Sequence, residues 1–188
     1  MPIDLSIILT TTRHKDLTRT LSYLQNQSYS GFEIEVIIIA EMDKSACFNI
    51  NTTLPFHQYK IVQRPVSGDF GASAKDLGIS MAKGTYVAFW DDDNLFENHA
   101  LVALYGVAYG FDIGLVRTHH LDSVIPTSAE IMPGDIDTMC LCVKKTLAMK
   151  EKWATANGRY ADYRWLRSLL LHKPSINRSQ IIIGRHLV

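Results

Sequence analysis

The chain has 188 residues, of which 47% are hydrophobic and 20% are charged, and its formal net charge is zero. This composition is typical of one globular domain with a buried core and argues against a disordered chain. The balanced charge does not indicate nucleic acid or an anionic membrane as a partner, and the apolar stretches fall far short of the ~20 residues that a membrane-spanning helix needs.

The N-terminus and the cysteines predict a cytoplasmic protein. Residues 1–4 lack the basic start and apolar region of a secretory signal. The cysteines Cys47, Cys140 and Cys142 are odd in number and do not have the paired spacing of a zinc site. Cys140 and Cys142 are predicted to share one face of a strand. Buried free thiols in a reducing compartment are therefore expected.

In the first half of the chain, strands alternate with helices. The hydrophobic pattern predicts strands over Leu5–Thr10, Glu35–Ala40, Tyr59–Val62 and Tyr86–Trp90, and helices over Lys15–Gln27, Gly71–Lys83 and Asn98–Tyr109, with Gly84 as the cap that ends the second helix. Such alternation predicts an open, mainly parallel α/β sheet flanked by helices. Ligands of these sheets bind beyond the carboxyl ends of the strands.

The second half of the chain is less regular. It predicts strands over Ile113–Thr118 and Met139–Val143, helices over Lys144–Trp153 and Ala161–Leu171, and a last strand or packed extension over Gln180–Ile183. We expect one domain over residues 1–188.

Three consecutive aspartates, Asp91, Asp92 and Asp93, directly follow the predicted strand Tyr86–Trp90. Carboxylates packed at the rim of a sheet repel one another unless a cation binds there. Their oxygens suit hard divalent ions, which often share their coordination with substrate phosphates. An acidic turn is the alternative, because Asp and the following Asn94 both favour turns.

The stretch from Gly71 to Asp93, GASAKDLGISMAKGTYVAFWDDD, resembles the glycosyltransferases of family 2. That family has a glycine-rich start, then Ala-Arg-Asn-x-Gly, an apolar strand and an Asp-x-Asp motif. Lys75 replaces the usual Arg, and Asp76 replaces the usual Asn. The predicted first strand also resembles that of the family, and the resemblance is specific over residues 3–95.

The resemblance implies a GT-A-type fold for nucleotide-diphospho-sugar transfer, with a nucleotide-sugar-binding half over residues 1–95 and a reduced acceptor-side half over residues 96–188. It also implies Mn²⁺ or Mg²⁺ as the cofactor. Asp93 is expected to contact the metal, and Asp91 to contact the donor ribose or support the metal. Asp92 is expected to lie behind these ligands.

Further donor contacts are implied at the other predicted strand ends. Thr11, Thr12 and Arg13 occupy the loop that packs around the base and phosphates in the family, although Arg13 is equally well explained as a solvated residue. Glu41 aligns with an acid that holds the base and is expected to accept a hydrogen bond from uracil. Ala40 replaces the first acid of that motif.

The helix after the glycine-rich loop carries the next expected contacts. Gly71 would let the backbone approach the donor closely. The resemblance places Lys75 near the donor phosphates and Asp76 near the nucleoside. A solvated charged face of an amphipathic helix is the alternative for both side chains.

Two residues late in the chain are candidates for chemistry. Asp162 aligns with the acid that deprotonates the acceptor hydroxyl in the family, although Ala161 replaces the glutamate that usually precedes it. Asp162 is also a good candidate for a helix N-cap. His186 resembles the late histidine that GT-A enzymes often supply to the metal, but a single histidine near a terminus is more often incidental.

These observations predict a metal-dependent transfer of sugar from a nucleotide-diphosphate donor, with a UDP-sugar expected, to a hydroxyl acceptor. The resemblance implies inversion, with Asp162 as the base. A nucleotidyltransferase is one alternative, but no glycine-rich loop follows the first predicted strand. A protein that binds or hydrolyses a nucleotide sugar, and that has no true acceptor site, is another.

Overall fold

The computed structural model describes residues 2–12, 14–42, 58–127, 130–156 and 158–187. The first half contains β1 (Leu5–Thr11), α1 (His14–Gln25), β2 (Ile34–Glu41), β3 (Gln58–Arg64), α2 (Ala72–Met81) and β4 (Tyr86–Asp91). Each predicted strand and helix of this half is present, and the boundaries differ by a few residues.

The first four strands form the parallel part of the sheet, in the order β3-β2-β1-β4. Every residue of β1 and β2 is buried. The continuous apolar sequences of these strands are therefore explained by burial on both faces, as in sheets that helices cover.

The second half contains β5 (Asn94–Phe96), α3 (Ala100–Ala108), β6 (Ile113–His120), β7 (Ser123–Ile125), a 3-10 turn (Thr138–Cys140), β8 (Leu141–Lys144), α4 (Lys145–Ala148), a 3-10 helix (Trp153–Ala156), α5 (Ala161–Leu170) and β9 (Ile176–His186). The sheet continues in the order β4-β8-β6-β9-β5, with β7 paired to β6. In this part only β6 and β9 are parallel, and the other described pairs are antiparallel. The expectation of a mainly parallel sheet therefore holds for the first half alone.

Several predicted boundaries in the second half were wrong. The helix predicted over Lys144–Trp153 is divided into α4 and the 3-10 helix. Cys140 lies in the 3-10 turn and Cys142 in β8, so the two do not share a strand face, although both are buried free thiols. Cys47 lies outside the described residues.

Gly84 does not cap α2, which ends at Met81 with Ala82 as its cap. A Cβ atom at Gly84 would instead lie 2.6 Å from the backbone nitrogen of Ser6, and the Gly84 N–H donates to Ser6 Oγ at 2.8 Å. The glycine is needed because β1 passes so close to this loop.

The last strand, β9, is longer than predicted and lies between β6 and β5 in the sheet. β9 pairs with β6 and, through Asn94 opposite His186, with β5. The backbone N–H of Leu187 also donates to the carbonyl of Asp93 at 3.0 Å. The C-terminal strand therefore lies against the aspartates that follow β4. Among the described residues, no helix combines the length and the apolar character that crossing a bilayer requires.

Candidate functional site

The carboxyl ends of β1 and β4 are adjacent, with Thr10 paired to Asp91 in the sheet. Thr10 Oγ1 donates a short hydrogen bond to Asp91 Oδ1. Thr11, which is buried, donates to Asp92 Oδ2 at 2.6 Å. The hydroxyl groups at the end of β1 thus orient two of the three aspartates that follow β4.

Lys75 approaches Asp91 from α2. Its ammonium nitrogen lies 2.8 Å from Asp91 Oδ1, and the side chain is 6% exposed. Burial alone would lower the pKa of Lys75, but the attraction of Asp91, their hydrogen bond and the more distant Asp162 and Asp137 raise it. Lys75 is therefore a buried, permanent cation.

Asp91 is held ionised by the same contacts. Burial alone would raise the pKa of its carboxyl group, but the charge and hydrogen bond of Lys75, and the hydrogen bond of Thr10, lower it. Gly71, with φ of +76°, begins α2 beside this pair. A Cβ atom there would lie 3.5 Å from Thr10 Oγ1 and 3.7 Å from Lys75 Nζ. These are ordinary contact distances, so the positive φ, and not crowding, accounts for the glycine.

Asp162 lies in the first turn of α5, but Tyr160, and not Asp162, is the N-cap residue. Thr138 Oγ1, from the 3-10 turn, donates to Asp162 Oδ1 at 2.9 Å. Burial and the charge of Asp137 raise the pKa of Asp162 to about 7, although Lys75 and the Thr138 hydrogen bond oppose the shift. A carboxyl group with this pKa exchanges its proton near neutral pH.

His186 is paired with Asp137, the residue just before the 3-10 turn. His186 Nδ1 lies 2.5 Å from Asp137 Oδ2, and Asp137 Oδ1 accepts the backbone N–H of Met139 at 2.9 Å. The hydrogen bond that His186 donates to Asp137 raises the pKa of His186 to about 9, against the effect of burial, and the charges of Asp137, Asp93 and Asp91 raise it further. Without a competing ligand, His186 is therefore protonated at neutral pH.

These groups form one electrostatic cluster, which we call the acid cluster: Asp91, Asp93, Asp137, Asp162, Lys75 and His186. Each of Lys75, Asp91, Asp162 and His186 has its pKa changed by two or more of the other members. Two cations thus compensate four carboxylates that come from distant parts of the sequence. A cluster with this excess of acids suits a cationic ligand and a proton-accepting group side by side.

The remaining predicted residues lie elsewhere or have other partners. Both carboxylate oxygens of Asp76 accept backbone N–H groups that begin the 3-10 helix, from Trp153 at 2.9 Å and Ala154 at 3.1 Å. Asp76 therefore fixes the start of that helix and uses for it the oxygens that the expected nucleoside contact would need. Thr12 is exposed at the end of β1. Arg13 lies outside the described residues.

Glu41 ends β2 and is almost fully buried. Its Oε1 lies 3.4 Å from Arg64 Nε, which belongs to the neighbouring strand β3. That atom is buried and makes no hydrogen bond within the described part of the chain. Glu41 is therefore an ion-pair partner of Arg64, and its contact with a base stays a prediction.

Sequence reasoning missed several residues of the site. Asp137 precedes and Thr138 begins a short 3-10 turn, part of which the sequence predicts as a strand. His120 ends β6 without a motif. Trp153 lies beneath the cluster, with its ring centre 5.6 Å from Lys75 Nζ. The sequence signal that could have identified Asp137 is its position as an aspartate two residues before Met139, because an aspartate there can cap a turn by accepting the Met139 N–H.

The donor set fits the divalent ion that the resemblance implies. One ligand atom from each of His120, Asp137 and His186 lies within 4.8 Å of the other two. Asp93, which is half-buried, lies close enough to raise the pKa of His186. Carboxylate oxygens suit Mn²⁺ or Mg²⁺, and imidazole nitrogens bind transition-metal ions, so this set of side chains can hold a divalent ion. The Asp137–His186 hydrogen bond is the type that orients a metal-binding imidazole.

The fold is similar to that of S. aureus TarS. The S. aureus TarS structure (residues 1–349) in complex with UDP has a TM-score of 0.75 and 14% identity, over 99% of this chain and 61% of that one. The complex of the same protein with UDP-GlcNAc has a TM-score of 0.69 and 12% identity, over 99% and 59% of the two chains. The chain therefore spans about three fifths of those proteins. This likeness confirms the GT-A-type fold.

The sequence was also compared with known families and proteins. No curated protein gives a significant match. The profile of glycosyl transferase family 2 matches residues 6–110, from β1 to the end of α3. Because this match extends over more than half of the sequence, the chain belongs to glycosyl transferase family 2.

Proposed function

We propose that this protein transfers a sugar from a UDP-sugar to a hydroxyl group of an acceptor, with inversion at the anomeric carbon. Family membership supports sugar transfer. The complexes of TarS with UDP and UDP-GlcNAc support a uridine donor on the same fold. The donor is expected beyond the carboxyl ends of β1, β2 and β4, with residues 1–95 as the donor half and residues 96–188 as the acceptor half.

Asp162 is the proposed catalytic base, and its pKa of about 7 is the observation that carries the proposal. As the new bond forms between the acceptor oxygen and the anomeric carbon, the hydroxyl proton passes to Asp162. The bond from that carbon to the diphosphate oxygen breaks, and its electron pair leaves with UDP. One displacement with one base gives inversion, and a base that titrates near the working pH is the most efficient.

Asp93, Asp91 and His186 are the proposed holders of Mn²⁺ or Mg²⁺, with Asp137 orienting the imidazole. When bound, such an ion supplies positive charge to the leaving diphosphate. Lys75 keeps Asp91 ionised and fixed, because the two side chains share a buried ion pair. Thr10 and Thr11 hold Asp91 and Asp92 from the other side.

The donor contacts follow from the same strand ends. Thr11, Thr12 and Gly71 are proposed to line the path of the nucleotide, and Oε1 of Glu41, which lies 3.4 Å from Arg64 Nε, is proposed to accept the uracil N–H. Arg13 remains a proposed phosphate contact. Asp92 is proposed to support the turn, since its carboxylate accepts from Thr11 and its carbonyl accepts from Arg19 at 2.9 Å.

The test is a panel of nucleotide sugars with Mn²⁺ or Mg²⁺, scored for release of nucleoside diphosphate with and without hydroxyl acceptors. Asp162→Asn is expected to lower transfer by a factor of ~10²–10⁴ and to leave the Kd for the UDP-sugar unchanged. Glu97→Gln, at an exposed position, is the matched control and is expected to behave as the wild type. Wild-type turnover in Asp162→Asn would refute the assignment of the base.

Metal dependence is tested separately by calorimetry of UDP binding. Asp93→Ala is expected to abolish the part of the binding that depends on metal. Equal affinity with and without metal in the wild type would contradict the proposed metal role. Release of diphosphate at the same rate with and without every acceptor would instead favour hydrolysis.

A further inference from the structure

Two exposed segments meet at the end of α5: residues 149–152, between α4 and the 3-10 helix, and residues 171–173, which follow α5. His172 Nε2 lies 2.8 Å from Glu151 Oε1, and the indole N–H of Trp165 donates to the carbonyl of Glu151 at 3.2 Å. These contacts hold the segments side by side. We call the surface that they form with Arg167 the Leu171 patch, and its exposed side chains are Met149, Lys150, Lys152, Arg167, Leu171 and Lys173.

Two apolar side chains of the Leu171 patch are held in water. Leu171 is 78% exposed and Met149 is 56% exposed. Both have an ordered backbone, since the N–H of Leu171 donates to the carbonyl of Ser168 at 3.2 Å and that of Met149 donates to the carbonyl of Lys145 at 3.0 Å. A single exposed apolar side chain is common, but two on one surface favour a partner that covers them.

Four cations accompany these apolar side chains: Lys150, Lys152, Arg167 and Lys173. All four are exposed, and none forms an ion pair with a residue that the structure describes. Arg167 lies four residues before Leu171, so the two are neighbours on one helix face. Because the formal net charge of the whole chain is zero, the positive charge of the patch reflects an uneven distribution over the surface.

Three acids have contacts near the Leu171 patch, and each already has a partner. Glu151 is paired with His172. Asp112 is paired with Lys144, with 3.6 Å between Oδ1 and Nζ. Both carboxylate oxygens of Asp76 accept backbone N–H groups at the start of the 3-10 helix. None of the three forms an ion pair with a cation of the patch.

The Leu171 patch lies at the end of the sheet opposite to the acid cluster. Ser175, two residues after Lys173, donates its hydroxyl to Asp112, which directly precedes β6. His120 ends the same strand, beside the histidine and an aspartate of the acid cluster. β6 has eight residues, so the two ends are roughly 25 Å apart. A partner bound to the patch therefore leaves the acid cluster open to water.

The combination of apolar and cationic side chains decides between the possible partners. An anionic lipid surface offers negative headgroups to the cations and an apolar layer to Leu171 and Met149. A nucleic acid contacted through its phosphates would neutralise the cations but leave both apolar side chains in water. A second copy of this surface would place four cations against four cations, which repel one another.

We propose that the Leu171 patch docks on an anionic lipid bilayer. Leu171 and Met149 enter the interface between headgroups and acyl chains, and the four cations lie against the headgroups. The protein is thereby held on the membrane surface with its acid cluster directed away from the lipid. This peripheral contact needs no membrane-spanning helix.

Binding is tested by flotation of the full chain with two sets of vesicles. One set contains phosphatidylcholine alone, and the other contains equal parts of phosphatidylcholine and phosphatidylglycerol. We expect saturable binding to the anionic vesicles and none to phosphatidylcholine at the same lipid concentration. Raised salt is expected to weaken the binding, because it screens the attraction between the cations and the headgroups.

Single substitutions separate the two parts of the patch. Lys150→Gln and Lys173→Gln are each expected to raise the Kd for anionic vesicles about fivefold, the contribution of one cation near such a surface. Leu171→Ser is expected to raise it about tenfold, because less apolar area enters the interface. Lys60→Gln, on β3, and Leu121→Ser, just beyond β6, change the same residue types at other exposed positions and should bind as the wild type.

Every one of these variants changes an exposed side chain and should melt like the wild type, so weaker binding is distinguished from lost folding. Absence of saturable binding to the anionic vesicles, or equal losses in the Lys60→Gln and Leu121→Ser controls, overturns the proposal. Weaker binding in the lysine variants with no change in Leu171→Ser identifies a site for polyanions and also overturns it. Because flotation requires no UDP-sugar, its outcome is independent of the proposed function.

Discussion

The ammonium group of Lys75 and the carboxylate of Asp91 lie 2.8 Å apart at the junction of α2 and β4. The same cation lies close enough to Asp162 for its charge to lower the pKa of that residue. One buried lysine thus stabilises an aspartate proposed to contact the donor or metal and also the proposed base.

Replacing this lysine should leave Asp91 without its partner. We expect Lys75→Met to lower the free energy of unfolding by about 2–4 kcal/mol, since removing one member of a buried ion pair leaves an uncompensated charge. The estimate allows for the 24% exposure of the Asp91 side chain. Urea unfolding measures the change, and Lys150→Met, at an exposed position, is the control. A loss as small as that of the control would contradict a buried pair.

The pKa of Asp162 predicts how transfer depends on pH. The base must be ionised, so kcat/KM is expected to rise as the pH increases through about 7 and to level off above about pH 8. Initial rates in buffers of constant ionic strength measure the profile. A midpoint near the ordinary pKa of an aspartate would exclude Asp162 as the group that titrates.

The same shift predicts a cost in stability. The pKa of Asp162 is higher in the folded state than in the unfolded chain, so ionising this carboxyl group destabilises the folded protein. Its contribution to the free energy of unfolding is fully present below about pH 4 and is lost as the pH rises through about 7. An asparagine at this position cannot ionise, so the Asp162→Asn variant does not lose this stability at high pH. We expect the variant to exceed the wild type by ~1–3 kcal/mol in free energy of unfolding at pH 8 and to match it near pH 4. A variant that is less stable at pH 8 would contradict the buried, raised carboxyl group.

The proton on His186 should compete with metal. The pKa of about 9 means that a metal ligand at His186 must displace a proton at neutral pH. We therefore expect the affinity for Mn²⁺ to rise by up to tenfold for each pH unit between 7 and 9, measured by calorimetry in two buffers that differ in ionisation enthalpy. His186→Gln should bind Mn²⁺ more weakly and with less proton release. Equal proton release by the variant would assign the proton to another group.

Asp76 should affect stability without affecting the donor. Asp76→Ala removes the acceptor of two backbone N–H groups and is expected to cost about 1–2 kcal/mol, as the loss of a helix cap does. The Kd for UDP should stay unchanged, and calorimetry beside urea unfolding measures both quantities. Asp76→Asn, which keeps an acceptor oxygen, should lose less. A large fall in UDP affinity would restore the nucleoside role that the resemblance implied.

The parallel half of the fold was predictable because each local signal agreed with the final structure. The strand that ends at Asp91 and the helix that carries Lys75 both lie where the apolar pattern and the resemblance placed them. The pairing of Lys75 with Asp91 was not predictable, since it depends on how α2 packs across the end of β4.

The contact of His186 with Asp137 could not be predicted from the sequence, although His186 itself was a candidate metal ligand. Asp137 and His186 are 49 residues apart, and only the pairing of β9 with β6 and β5 brings them into contact. A single histidine or aspartate carries no periodic signal, so His120 and Asp137 were missed. The contacts of Asp76 with the start of the 3-10 helix were also not predictable, because that helix was predicted as part of a longer one.

The position of β9 makes the acid cluster depend on closure of the sheet. His186 meets the aspartates because Ile176–His186 lies between β6 and β5. If β9 left the sheet, the Lys75–Asp91 pair would remain, but the imidazole that Asp137 holds would be lost. A local opening at this strand would therefore separate the proposed metal ligands and leave the parallel half of the fold intact.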